Sequence, residues 1–478
     1  MNFHDRYAAI GEPIETCLVG SGAFGRSFLA QARRMRLVKA RIAVDLDATA
    51  AADALRTAGH EPREIAVCET AADAHAAWER GHAVAAGSLE TVIDLPFRVL
   101  IEATGSPEGA TRHTVAGIEA GRHVALVSKE ADSVVGPGLA HLARSHGVVV
   151  TPVDGDQPSL LIALVTWAEV LGLEVIAAGK SSEYDFVLDP ASGAVTSNGV
   201  THVLPDLSAL LAPTSGGLDA AAAARVEVLG RAFPLRAVPD LCEMTLVANA
   251  VGLEPDAPAF HAPPARVPEL AALFSGRDRG GLLGGTRRVD VFHHLRLADE
   301  ASFAGGVFVV VRCEESDADT WAMLAEKGHV VSREAGTAML YLPRHLLGVE
   351  AATSVLDAAA LGLSGYGADY RPRQDIVAVA TRNLAAGTRL TMGGHHHSID
   401  GVGAEMRAAE NLADDRPAPF YLVADQMLTR SIRAGEAIRL GDVAVPESSA
   451  LLDARHRQDA LFASTVASPG VGQGVTPR

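Results

Sequence analysis

The stretch TCLVGSGAFGRSFLAQA, residues 16–32, decides the fold class. Cys17-Leu18-Val19 is an apolar run that reads as a short buried strand, and Arg26–Ala32 reads as the first turns of a helix. Between them Gly20, Gly22 and Gly25 are spaced G-x-G-x-x-G, with Ala23 and Phe24 in the bend. Gly20 permits the tight turn out of the strand. Gly22 has no Cβ, so a pyrophosphate can approach the backbone. Gly25 lets helix and sheet pack closely, and the helix N-terminus points its free N–H groups at the phosphates. A second apolar strand, Arg41–Val44, ends at Asp45. That acid lies about 20 residues beyond the glycines, where a carboxylate binds a ribose 2′-hydroxyl. A glycine turn in another α/β protein is the alternative; the strand before and the helix after favour a dinucleotide site.

A chain of 478 residues exceeds one ordinary core, so two or three domains are expected. Its 41 basic and 58 acidic side chains give a net charge of −17, with no basic stripe. That argues against nucleic acid as the main partner, although an anionic substrate needs only a local basic pocket. No apolar run is long enough to span a bilayer. The opening MNFHDRYAAIGEP lacks the basic and apolar regions of a secretory signal and reads as an arm before the first strand. Four scattered cysteines, Cys17, Cys68, Cys242 and Cys313, read as reduced thiols of a cytoplasmic protein.

Asp45 and Asp47 follow the second strand with no arginine directly after, so a 2′-phosphate would meet negative charge. NAD is therefore favoured over NADP; Arg33, Arg34 and Arg36 are the residues that would weaken that preference. Two further runs, FRVLIEATGS and HVALVSKEAD, read as strands ending at one ligand edge. They deliver Thr104 and Gly105, and Lys129 and Glu130. Lys129 there can hydrogen-bond a substrate carbonyl or carboxamide; a surface lysine is the alternative. Helices are expected at 48–58, 70–79, 107–120 and 139–144, then a strand ending at Pro152.

Residues 151–190 are the densest chemical stretch. Asp154 and Asp156 flank a glycine, and Pro158 suits the first turn of a helix running to about Leu171. The strand EVIAAG ends at Lys180, with Glu183 and Asp185 in the following turn. Oxygen ligands of this kind suit a divalent cation, or proton transfer beside an ammonium; aspartates before a helix are otherwise caps. Residues 190–217 read as loop. A helix over 239–253 adds Glu243 and Asn249. In the Gly/Arg loop 275–285, Arg277 and Arg279 form a clamp for phosphate or carboxylate, or a solvent loop. Strands are expected at 287–297, 305–313 and 338–343, and a helix at 351–361.

Residues 370–390 and 421–445 look like two related units, each a strand, a glycine turn and a strand. Two such hairpins make a small β domain. Between them stand His395, His396 and His397. In an extended segment neighbours point to opposite faces, so at most two converge on a metal. A loop at an interface or active-site rim is the preferred reading. Residues 464–478, rich in Ser, Gly, Pro and Thr, read as a disordered tail.

GSGAFG, the ligand-edge SKE, VDGDQPSLL and AAGKSSEYD, in that order, resemble the homoserine dehydrogenase superfamily over residues 13–445. Within it the chain is most similar to the 1-deoxy-D-xylulose 5-phosphate reductoisomerase-like branch, which carries a C-terminal SAF domain. Homoserine dehydrogenases have N-G-T-x-N-Y where this chain has GKSSEYD, and their L-G-Y-A-E stretch is missing, which argues against homoserine as substrate. The expected fold is α/β: a Rossmann domain over 1–152, an α+β substrate and oligomerisation domain over 153–369, a SAF-like or β-clip-like β domain over 370–455, and a tail over 456–478. The helix 351–361 is a candidate to return to the Rossmann domain. The expected function is an NAD(P)-dependent oxidoreductase acting on a CH–OH group of a small polar polyhydroxy or keto substrate, such as a sugar phosphate or sugar acid. Reductoisomerase likeness implies a rearrangement before reduction, metal-assisted by Asp154, Asp156, Glu183 or Glu243. The alternatives are a simple hydroxy-acid or homoserine-type dehydrogenase, and a non-catalytic NAD-sensing or carbohydrate-binding protein. Candidate catalytic residues are Lys129, Lys180, Glu183, Asp156 and Glu243. Candidate cofactor residues are Gly20, Gly22, Ala23, Phe24, Gly25, Asp45, Thr104, Gly105 and Lys129; candidate metal ligands are Asp154 and Asp156. Uncovered sheet edges and apolar faces make a homodimer or homotetramer the expected assembly.

Overall fold

Seven short apolar runs in residues 14–152 pair into one parallel sheet. The computed structural model describes residues 2–204, 217–235, 238–393 and 397–466. The strands are β1 (Ile14–Val19), β2 (Val38–Val44), β3 (Ile65–Cys68), β4 (Ala83–Ala86), β5 (Val99–Glu102), β6 (His123–Leu126) and β7 (Val150–Pro152). Their order is β3-β4-β2-β1-β5-β6-β7, so the winding reverses between β1 and β5 and opens a crevice at their C-terminal ends. β3 and β4 were not expected. Four residues each, and Ala83–Ala86 almost all alanine, they carry no strand signature of their own.

The run HVALVSKEAD does not stay extended. β6 stops at Leu126, and Lys129 opens a helix, Lys129–Ser145, that absorbs Pro137 and starts well before the expected Leu139. Lys129 still stands at the ligand edge, because a helix leaving a strand end begins there.

The second sheet runs β11-β10-β9-β14-β8-β15-β17-β16, built from β8 (Val175–Ser181), β9 (Phe186–Asp189), β10 (Ala194–Ser197), β11 (Val200–Val203), β14 (Arg288–Leu297), β15 (Val307–Arg312), β16 (Val331–Ser332) and β17 (Thr337–Leu342). Two short strands, β12 (Glu254–Pro255) and β13 (Pro264–Ala265), pair with β14. β8 lies between a parallel β14 and an antiparallel β15. Residues 186–203 are thus paired strands rather than loop, while 205–216 lie outside the described residues. The helices Gln157–Val170 and Val238–Val251 pack together on this sheet. Phe274, Phe292 and Phe308 form an aromatic cluster, with Phe274 stacked on Phe308 at 5.1 Å.

The helical stretch Ala352–Leu356, continued as Asp357–Leu361, packs into the Rossmann core beside Phe28 and Leu29. Asp357 accepts bonds from Arg6 Nε at 2.9 Å and from the Tyr7 hydroxyl at 2.8 Å. The expected N-terminal arm is therefore docked, and includes a helical turn at Phe3–Arg6.

At the C-terminus, β18 (Gln374–Ala380) pairs antiparallel with β21 (Val402–Ala408), and β19 (Met392–Gly393) and β20 (Ser398–Ile399) complete a small sheet. The two glycine-turn units do not close as separate hairpins. They pair with each other: Leu384 and Ile432 exchange both backbone bonds, at 2.8 and 2.9 Å, and Leu390 N donates to Gln426 O at 2.8 Å. Phe420–Val423, expected as a strand, is a helical turn.

The expected tail from 456 onward is also corrected. Ala450–Val466 is a helix packed on the Rossmann helices Pro107–Glu119 and Lys129–Ser145, and only 467–478 lie outside the described residues. Arg455 is 1 % exposed; it donates to both oxygens of Asp375 on β18 at 2.8 Å and to Asp459 at 2.8 Å. One guanidinium thus joins the C-terminal helix to the β domain. Among the described residues no helix is long and apolar enough to cross a membrane. Replacing Arg455 by Met leaves two buried carboxylates facing an apolar stem. Urea unfolding should show a loss of about 3–5 kcal/mol, the usual cost of removing one partner from a buried pair; a loss near zero would contradict the tie.

Candidate active site

The glycine turn shows which glycines the fold itself requires. Gly20 has φ 100°, and a Cβ there would run into the Ala103 carbonyl. A Cβ at Gly25 would run into the Gly20 carbonyl. At Gly22 an added Cβ meets nothing within 4 Å, so nothing in the chain requires glycine there. That open space fronts the helix Ala23–Ala32, whose N-cap Gly22 offers no side chain to its first N–H groups. The turn therefore fits the phosphates of a dinucleotide. Asp45 sits at the end of β2 and accepts from Ser21 N at 2.9 Å and Ser21 Oγ at 2.5 Å. Partial burial pushes its carboxyl up, but these bonds and nearby backbone N–H groups prevail and hold it below the usual range. A half-exposed carboxylate in that place suits a ribose hydroxyl.

The next strand end is pinned from beneath. Glu102 closes β5 and accepts from Thr104 Oγ1 at 2.6 Å, and Gly105 N donates to Ser128 Oγ at 2.9 Å.

Beside this edge lies a cluster of two ammonium groups and three carboxylates. Lys129 Nζ is 2.9 Å from Asp156 Oδ1 and 2.5 Å from Glu243 Oε1. Lys180 Nζ is 2.7 Å from Asp240 Oδ1 and also bonds Glu243 Oε2. Glu243 bridges the two lysines. Asp240 and Glu243 share a face because they are three apart on the helix Val238–Val251. Asp156 is the N-cap of Gln157–Val170, so its capping and ion-pairing roles coincide. His345, from the loop after β17, stands 3.4 Å from Asp156 and 3.3 Å from Gln157 Nε2.

Burial alone would drive these lysines toward neutrality. Asp156 and Glu243 overcome it for Lys129, and Asp240 and Glu243 for Lys180, so both stay charged with pKa well above the usual lysine range. The carboxyls of Asp156 and Glu243 are likewise pushed up by burial but held below the usual range, chiefly by Lys129. The two lysines differ in access: the Lys129 side chain is 22 % exposed and that of Lys180 only 2 %.

The structure brings together Lys129, Lys180, Asp156 and Glu243, and adds Asp240 and His345, which the sequence reading had not singled out. It corrects the rest. Lys180 lies inside β8, paired across to Val291 and Val307, rather than at the end of the strand. Its neutralising acids come from the helix Val238–Val251, not from residues 183–185. Glu183 is exposed and interacts with Tyr184. Asp185 binds His294 at 3.1 Å and Arg296 at 2.6 Å on β14. Asp154 accepts from Ser159 at 2.5 Å and Thr353 at 2.6 Å, while Asp156 turns to Lys129. The two expected metal ligands thus face different partners, and among the described residues no three His, Cys, Asp or Glu side chains are grouped to hold a metal. Arg277 pairs with Asp256 at 2.6 Å, and Arg279 reaches Ala335 O at 3.3 Å. With Arg312 they line a cavity of about 460 Å³ at the opposite end of β15 from its pairing with Lys180. His395 and His396 lie outside the described residues; His397 bonds Glu130 at 2.5 Å.

Residues 239–351 match the family described as oxidoreductase DRL, catalytic domain. The matched segment carries Asp240, Glu243 and His345, and it agrees with the resemblance to the reductoisomerase-like branch; the C-terminal β domain lies outside it. No curated protein matches the chain. Among solved structures, a homoserine dehydrogenase from Thiobacillus denitrificans is 16% identical, covers 79% of this chain and 83% of its own, and has a TM-score of 0.39. GenD2 from gentamicin A biosynthesis, in complex with NAD, is 17% identical over 74% of this chain and 88% of its own, with a TM-score of 0.34. The 1-deoxy-D-xylulose 5-phosphate reductoisomerase from Zymomonas mobilis, in complex with NADPH, is 20% identical over 36% and 46%, with a TM-score of 0.27.

The burial of Lys180 changes what its replacement should do. Lys180→Met leaves Asp240 and Glu243 buried without their shared counter-charge, so stability should fall by about 3–5 kcal/mol. Lys129→Met removes a partly exposed ammonium and should cost less. Thermal unfolding of the two variants side by side checks the order; equal melting temperatures would contradict it.

Proposed function

We propose that the chain is a nicotinamide-dependent oxidoreductase that interconverts a CH–OH group and a carbonyl on a small, polar, anionic substrate of the sugar-phosphate or sugar-acid class. The observation that carries this reading is Lys129. It is a charged, partly exposed ammonium at the start of the helix that follows β6, one intervening strand away from the glycine turn, and it is held by Asp156 and Glu243. When bound, the nicotinamide supplies or accepts the hydride. Gly20, Gly22 and Gly25 would hold its pyrophosphate, Asp45 its adenine ribose, and Thr104 and Gly105 the edge nearest the ring. Asp45 without a cationic partner favours NAD over NADP.

Lys129 cannot be the base, since two carboxylates keep it protonated. Its role is to donate a hydrogen bond to the substrate oxygen and stabilise the charge that develops there as the carbonyl forms or is reduced. His345, beside Asp156, is the group placed to move the proton. Lys180 touches no open space; it holds Glu243, and through Glu243 the position of Lys129. Asp154 binds two hydroxyls and Asp156 a lysine, so this pair does not fit a divalent cation. The exposed outer strand β11, with Val200 and Val203 on it, supports a homo-oligomer, which light scattering at micromolar concentration should show.

Turnover is read as absorbance of the reduced nicotinamide against sugar phosphates, sugar acids and hydroxy acids. Gly22→Val should abolish dinucleotide binding, because its side chain would fill the open space. NAD should be preferred by about tenfold or more, or 1.4 kcal/mol. Lys129→Met should lower kcat by about a hundredfold, near 2.7 kcal/mol. Cofactor binding by Gly22→Val at the wild-type level would overturn the nucleotide reading. Near-normal turnover by Lys129→Met on an accepted substrate would overturn the mechanism.

A further inference from the structure

The C-terminal β domain reaches the nucleotide edge through one side chain. His397 stands just before β20, with φ 45°, a left-handed conformation uncommon for a non-glycine residue. From there its ring crosses to the Rossmann half. Its Nδ1 is 2.5 Å from Glu130 Oε1, in the first turn of Lys129–Ser145 and next to Lys129. The same ring lies on Gly105: a Cβ at that position would run into His397 Cε1 and lie 3.2 Å from Nε2. Gly105 also has φ 67°, so both its backbone and its neighbour require glycine. Gly105 N is also held by Ser128 Oγ at 2.9 Å. The turn after β5 is therefore held by Ser128 and contacted by an imidazole of another domain.

Resting on the nucleotide reading above, we propose that His397 is a positioning residue of the cofactor site: paired with Glu130, it holds the turn at Thr104–Gly105 in the shape that receives the nicotinamide end of the dinucleotide, so that the C-terminal domain completes the Rossmann site. The His397 side chain is 34 % exposed and that of Glu130 14 %, so the pair borders solvent while its bond is largely shielded. The bond to Glu130 raises the imidazole pKa above its ordinary 6.5, against partial burial and the Lys129 charge. Glu130 and Lys129 are the charged groups that face it from the helix. Of the titratable groups at the end of β5 and on the helix Pro107–Glu119, Glu102 and His113 are bonded to each other at 3.3 Å. The sign follows. A raised histidine pKa makes the pairing full strength below pH 6.5, and the pairing is lost as pH rises through the higher value of the folded protein.

The test is equilibrium binding of NADH to the full-length protein by fluorescence, from pH 6 to 9, for wild type, His397→Ala, His397→Gln and Glu130→Gln, each with a melting temperature. Wild-type Kd should weaken as pH rises. His397→Ala should bind about tenfold or more weaker at pH 6 with a flat pH profile and little change in melting temperature. His397→Gln, which keeps a hydrogen-bond donor but no charge, should regain part of the affinity and stay flat. Glu130→Gln should reduce the pH dependence. His397→Ala with wild-type affinity and the wild-type pH profile would overturn this inference alone, leaving the nucleotide site intact. Absence of NADH binding by the wild type would overturn both.

Discussion

A single carboxylate, that of Glu243, is shared by two ammonium groups, and the chemistry of the site depends on that arrangement. Removed from water, Lys129 and Lys180 would each tend to lose a proton. Glu243 stands between them, with Asp156 on one flank and Asp240 on the other, and keeps both charged. The four elements that supply these groups are a Rossmann helix, a helix N-cap, a central strand and a helix of the second domain. The ion cluster therefore also fixes how the Rossmann half and the second sheet sit against each other, and a displacement at any member is felt at Lys129.

The cluster sets three carboxylates against two ammonium groups. Asp156 and Asp240 stand at its two ends, and His345 lies beside the Asp156 end. In the proposed reaction, proton handling and charge stabilisation fall to different side chains, His345 and Lys129.

The nucleotide half was legible because its signals are local. G-x-G-x-x-G, the acid after β2 and the apolar runs all act within a few residues, and Gly22, the glycine the fold does not need, is the position most clearly left for a ligand. Lys129 and Glu243 were legible as types but not as a pair, since 114 residues separate them. Lys180 was misread for a physical reason. An ammonium after EVIAAG looks like the end of a buried strand, and only the acids of a distant helix allow the strand to continue through it. The two C-terminal repeats looked like two hairpins because each has its own glycine turn, but related units can pair with each other just as well. The helix Ala450–Val466 was hidden by the composition of the residues after it, although Leu451, Arg455 and Gln458 sit on one buried face.

That helix, together with the stretch 351–361, has a consequence for how the chain acquires its structure. Ala351, Val355 and Leu356 fill the Rossmann core, and Leu451 and Arg455 close its helical layer against the β domain. The Rossmann half is thus missing packing partners that are synthesised much later than its own strands. Its early form exposes apolar helix faces while some three hundred further residues are added, and contacts of such long sequence separation form slowly. Apolar faces left open in this way are the kind of surface on which aggregation starts and which holding factors cover.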